Sequence, residues 1–162
     1  MFFNVAIPPS LVEALRRRGL DVGYLIDTLL INSSIDPPEA VKAHAELATM
    51  AFNEGVEFAN KGDVVQASEK LYKAVEEAIK ALAMAKNLEE AREALSKGRW
   101  TVALLDNAVS KLGDVVERAW DAAYFLHVNG FHEVRINIEQ VRRRIPYIRS
   151  LIDELRDEVK VQ

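Results

Sequence analysis

Eight apolar residues near the C-terminus constrain the fold more than any other feature. Val134, Ile138, Val141, Ile145, Ile148, Ile152, Leu155 and Val159 are spaced 4-3-4-3-4-3-4, the seam along which one helix packs on another in a left-handed pair or bundle. The spacing predicts a helix from about Phe131 to the C-terminus that must bury this stripe somewhere. One residue beyond every other seam position stands an arginine: Arg135, Arg142, Arg149 and Arg156. Such positions flank a seam and are where charge pairs form between helices. Arg135, Arg142, Ile145, Arg149 and Ile152 are therefore the interface candidates, whether the seam closes within one subunit or on a second. Pro146 lies off the seam and predicts a kink there rather than an end.

The rest of the chain reads as helix with clear punctuation. Residues 1–35 form a short N-terminal arm: an extended start through two prolines, a helix capped by Ser10 and ended by Gly19, then a very apolar short helix capped by Asp21. INSSIDPPEA is the clearest break, with Asp36 as N-cap and Pro37 in the first turn. Long helices follow to about Asn60 and, after Lys61-Gly62-Asp63, through VVQASEKLYKAVEEAIKALAMA. In the latter, Leu71, Val75, Ala78, Ile79 and Leu82 mark one face, and Glu69–Lys73 and Glu76–Lys80 read as i,i+4 pairs on the outside. A short helix ends at Gly98, and a further long helix spans 99–128, weakened at Gly113. The fold class is all-α: an antiparallel, up-down four-helix bundle over residues 36–162, preceded by the helical arm.

Composition removes several kinds of function. At 162 residues and 49% hydrophobic content, one domain with a substantial core is expected. A net charge of −4 gives no global attraction for nucleic acid, so such binding would need a local patch. The sequence has no cysteine, which rules out disulfides, thiolate nucleophiles and cysteine-ligated metals. The N-terminus lacks the pattern of a secretory signal, and no window is apolar for the roughly 18 residues a membrane span requires. The chain reads as cytoplasmic, with neither a membrane segment nor a cofactor.

The chemistry-bearing candidates gather in WDAAYFLHVNGFHE, residues 120–133. His127 and His132 are five residues apart, whereas two histidines on one face of an α-helix stand four apart. Asn129-Gly130 between them reads as a helix C-terminus. A packed helix corner is thus expected rather than a metal site. Glu76-Glu77 and Glu89-Glu90 point about 100° apart on a helix and read as solvated. Arg142-Arg143-Arg144 fan around the helix axis instead of making one surface. Protein contact is favoured over nucleic acid for the arginines beside the seam.

GDVVQASEKLYKAVEEAIKALA, then GRW, then W-x-x-A-x-x-L-H-x-x-G-F-H-E together resemble the archaeal PaREP family, from about Asp36 to the end. That family in turn resembles the HEPN superfamily of antiparallel four-helix bundles, and the resemblance implies a homodimer. Many HEPN proteins are ribonucleases with an arginine and a histidine separated by four to six intervening residues; Arg118 stands too far before His127 to fit, so the motif is absent. Other members work with a small nucleotidyltransferase, which for this chain would be a separate protein. The leading expectation is a non-catalytic helical protein that binds a partner or a second copy of itself, as part of a two-component nucleotidyltransferase or toxin–antitoxin type of system. The alternative is an RNA- or nucleotide-processing enzyme built on Arg118, His127, His132 and Glu133.

Overall fold

The computed structural model describes residues 4–20 and 22–160. It is helical, with no strand among the described residues. The arm contributes α1 (Pro9–Arg17) and α2 (Val22–Asn32), and the body follows as α3 (Pro37–Asn60), α4 (Val64–Ala85), α5 (Glu89–Lys97), α6 (Val102–Leu112) and α7 (Asp114–Leu126). A π-helical segment, His127–His132, leads to α8 (Ile138–Arg142) and α9 (Ile145–Lys160). Helices α3, α4, α7 and α9 close an antiparallel bundle in which each packs on the next and α9 returns to α3. No described helix is long and apolar enough to cross a membrane.

Small residues let the first two long helices approach. Ala48, Ala51 and Ala59 of α3 and Ala67, Ala74, Ala78 and Ala81 of α4 are all buried. Gly55 completes the contact: a Cβ there would stand 2.8 Å from Leu71 Cγ, closer than real side chains come. The turn between the helices is the one the sequence predicts, since Asp63 Oδ1 accepts from Gln66 N at 3.0 Å and starts α4. Gly98 ends α5 at φ 72°, and Thr101 caps α6 by accepting from Leu104 N at 3.2 Å. Asp36 occupies the N-cap position of α3 without a side-chain cap bond, and α1 starts at Pro9 with Pro8 before it. Asp21, expected to cap the second arm helix, lies outside the described residues.

Two predicted helices are divided. The helix expected over 99–128 breaks at Gly113, whose φ of 102° and ψ of 174° belong to a region open essentially to glycine alone. The last helix does not begin at Phe131. The π-helical segment carries the chain past that point, Val134 sits at φ 49° and is exposed, and regular helix starts only at Ile138 with an Asn137/Gln140 capping box. Instead of a kink, a break falls at residues 143–144, between α8 and α9. Pro146 lacks the N–H that a continuous helix would donate to the carbonyl of Arg142, and its ring clashes with that turn. The seam survives where it matters: Val141, Ile148, Ile152 and Leu155 are fully buried against the rest of the bundle.

Candidate functional site

The most concentrated polar chemistry lies where α2 of the arm meets α3 and α4. Lys80, fully buried, donates to Asp27 Oδ2 at 2.7 Å and Oδ1 at 3.0 Å, and to Glu77 Oε1 at 2.9 Å. Its ammonium also stands 3.1 Å from Glu76 Oε1. On the far side of Glu77, His44 Nδ1 donates to Oε2 at 2.5 Å. Burial alone would lift the Glu77 carboxyl and neutralise Lys80. The Lys80 charge and the His44 hydrogen bond hold Glu77 down at about 2. The surrounding carboxylates in turn keep Lys80 charged, well above its usual range. Asp27 goes the other way: burial raises its pKa more than Lys80 lowers it.

Ligand-type atoms of Asp27, His44 and Glu77 all lie within 4.8 Å of one another, as a metal site would require. Lys80 decides against that use, because its ammonium already occupies the cation position among the carboxylates. The arrangement is an ion-pair network that ties the arm to the bundle and orients the His44 ring. Cavities flank it on both sides, one of about 390 Å³ reaching Glu77 and one of about 470 Å³ reaching Asp27 and His44. Their helical spacing predicts a solvated face for Glu76, Glu77 and Lys80; Glu77 and Lys80 are buried instead. The spacing Glu76/Glu77 to Lys80 shows the pairing but not the arm that covers it. Glu90, also expected to be solvated, is buried under Lys111.

The histidines of the corner do meet. His127 Nε2 and His132 Nε2 are 3.0 Å apart, so one ring donates its N–H to the other's lone pair. His127 stacks on Tyr72 with ring centroids 4.0 Å apart, while Trp120 anchors the preceding turn by donating to Asp106 Oδ1 at 2.9 Å. Burial, then the nearby His132, lowers the His127 pKa, and burial lifts the Tyr72 phenol to about 12. Glu133 pairs with Arg135 at 2.6 Å and is not drawn into the histidine pair. Arg118 is nine residues before His127, about two and a half turns. It therefore leaves α7 on the opposite side, where it lines a separate cleft with Phe125 and Arg144. The four residues proposed for catalysis do not form one site.

The interface candidates are spread between core and surface. Ile152 is fully buried and Ile145 half-buried, both packed within the bundle. The arginine row is held by its own chain: Arg135 by Glu133 and Asn129, Arg142 by Glu139 and the Ala59 carbonyl, Arg156 by Asp153. The Arg149 guanidinium lies 5.0 Å from the centre of the Phe52 ring.

Comparison with known proteins places this architecture. The model of the archaeal PaREP1/PaREP8 family matches residues 43–152. A solved structure of a protein from Sulfolobus solfataricus is 38% identical, with a TM-score of 0.64, covering 69% of this chain and 95% of that one. No curated protein matches. The match to the family begins after the arm, so His44, Glu77 and Lys80 lie within the matched region while Asp27 lies before it.

Proposed function

The chain belongs to the archaeal PaREP1/PaREP8 family, and we propose that it acts as a non-catalytic, helical partner-binding protein whose first partner is a second copy of itself. The observation that carries this reading is the condition of α2. Its sequence, VGYLIDTLLIN, is apolar on every side, yet Asp27 is its one buried residue among those described. Leu29 is 62% exposed, and Tyr24, Leu25, Ile26, Leu30 and Ile31 are only half-buried. A helix apolar all round is normally enclosed, and α2 is enclosed on one side alone.

A cavity beside it is walled by Leu30, Ile31, Ile35, Leu95 and Trp100, and Leu95 is 60% exposed. Knob and groove thus occur on the same chain, which is what a two-fold interface requires, since each copy then offers both. The seam of α9 is satisfied inside the subunit and is not needed for the contact. The separation of Arg118 from the histidine pair weighs against the enzymatic alternative. A separate nucleotidyltransferase remains the heterologous occupant to compare.

Sedimentation equilibrium tests the proposal directly. The expected mass at micromolar concentration is twice the chain's 18.2 kDa, and Leu29→Glu with Leu95→Glu should give a monomer with an unchanged helical circular dichroism signal. A wild-type chain that stays at monomer mass would overturn the homodimer.

A further inference from the structure

The cleft between α7 and the α8–α9 junction gathers cations against the sign of the whole chain, which carries −4. Arg118 reaches it from α7, and Arg143 and Arg144 from the break that precedes Pro146. The break undoes the fan expected of three successive arginines. Arg142 turns away to the Ala59 carbonyl, while Arg143 and Arg144 line, together with Arg118, a space of about 640 Å³. Among the described residues no carboxylate is ion-paired to any of the three, although Asp121 forms part of the wall. This sets them apart from Arg135, Arg142 and Arg156, each of which has an acidic partner.

Aromatic surface accompanies the charge. The Arg144 guanidinium lies 3.5 Å from the centre of the Phe125 ring and donates to the Gln140 carbonyl at 2.8 Å. That fixes it as a flat, cationic platform. Tyr147, 49% exposed, stands at the rim of the same cleft. Guanidiniums without an acidic partner keep N–H donors free for a bound anion, which takes charge-assisted hydrogen bonds from them. Burial, then the Arg143 charge, already lowers the Arg144 pKa.

We propose that this cleft binds a nucleoside phosphate, with the phosphate between Arg118 and Arg143 and the base stacked on Tyr147 or on the outer face of the Arg144 guanidinium. The aromatic platform calls for a ring as well as an anion, since stacking adds affinity for a base and none for phosphate alone. The chain's overall negative charge opposes a long polyanion, so the ligand is of mononucleotide size.

Isothermal titration of the full chain with 5′-AMP, adenosine, inorganic phosphate and a short oligoadenylate separates the sources. Binding of 5′-AMP tighter than either adenosine or phosphate is expected, weakening as salt rises. Arg118→Ala with Arg143→Ala, both at exposed positions, should weaken 5′-AMP by about tenfold or more without loss of helical signal. Tyr147→Ala should weaken 5′-AMP and leave phosphate unchanged. No binding of 5′-AMP, or equal affinity in the double variant, overturns the site. Oligoadenylate bound far more tightly than 5′-AMP, and lost in the same double variant, overturns the mononucleotide in favour of a strand. An effect of Tyr147→Ala on phosphate equal to that on 5′-AMP overturns the stacking.

Discussion

Gly130 shows how a single residue can be recognised and its reason misread. Asn129-Gly130 reads as a helix C-terminus, where glycine commonly supplies a positive φ, but Gly130 is not among the residues in that region. Its constraint is distance. A Cβ on Gly130 would lie 2.0 Å from Ser68 Oγ and 2.7 Å from Ser68 Cβ, so the π-helical segment rests on α4 with no room for a methyl group. The Ser68 hydroxyl could rotate away, but its Cβ cannot. Gly130→Ala should therefore destabilise the fold by about 1–3 kcal/mol, the range for overpacking a filled core. Urea unfolding would measure it, and Ser68→Gly in the same chain should recover part of the loss. Full stability in Gly130→Ala would show that the two segments separate easily. Nothing in a lone glycine distinguishes a need for close approach from a need for positive φ, which is why the sequence supports the wrong reason.

At the scale of the element, the histidine corner depends on how a helix ends. Two side chains five apart do not share one face of an α-helix, and for that geometry the spacing of His127 and His132 gives no pair. The backbone from His127 to His132 is π-helical instead, with i→i+5 hydrogen bonding that stacks the fifth residue over the first. That switch brings the two Nε2 atoms to 3.0 Å. The pair needs one proton-bearing nitrogen and one lone pair, so it tolerates a single charge. With its pKa lowered from 6.5 by burial and then by His132, His127 contributes stability that is present above pH 6.5 and lost as pH falls through its folded value. NMR titration of the imidazole resonances should place His127 below 6.5, and His132→Ala should move it upward. A His127 titration that stays put or falls in that variant would remove His132 from the account. The corner's aromatic packing was legible from the helical spacing of Trp120, Ala123 and Tyr124. Its polar geometry was not, because π-helix has no signature in those residues.

For the whole molecule, the apolar seam and the helix-ending signals made the bundle readable, since periodicity determines which faces must be covered. The network beneath the arm was hidden for a physical reason. Glu76, Glu77 and Lys80 have the spacing of solvated pairs on a helix, and only the docking of α2 turns them into a buried cluster. That docking is tertiary information, and α2 advertises it merely as a lone aspartate among leucines and isoleucines. The cluster then predicts how arm and bundle respond to substitution. Lys80→Met strands Asp27, Glu76 and Glu77 without their shared cation, and breaking a buried pair in this way costs about 3–5 kcal/mol. Asp27→Asn should cost far less, because burial already disfavours the Asp27 charge at this position more than Lys80 favours it. Acid acts through Glu77 in the opposite sense to Asp27. The Glu77 pKa falls from 4.5 to about 2 on folding, so its contribution is present above pH 4.5 and lost as pH descends toward 2. The raised pKa of Asp27 instead favours the folded arm at low pH and works against it as pH rises through the folded value. Thermal unfolding followed by circular dichroism should thus show an acid loss across that window in the wild type. Asp27→Asn should deepen that loss, since the Asp27 carboxyl offsets part of it in the wild type, with little change at neutral pH, and Glu77→Gln should flatten it. An equal penalty for Lys80→Met and Asp27→Asn at neutral pH would mean that the arm, rather than the lysine, holds the network together.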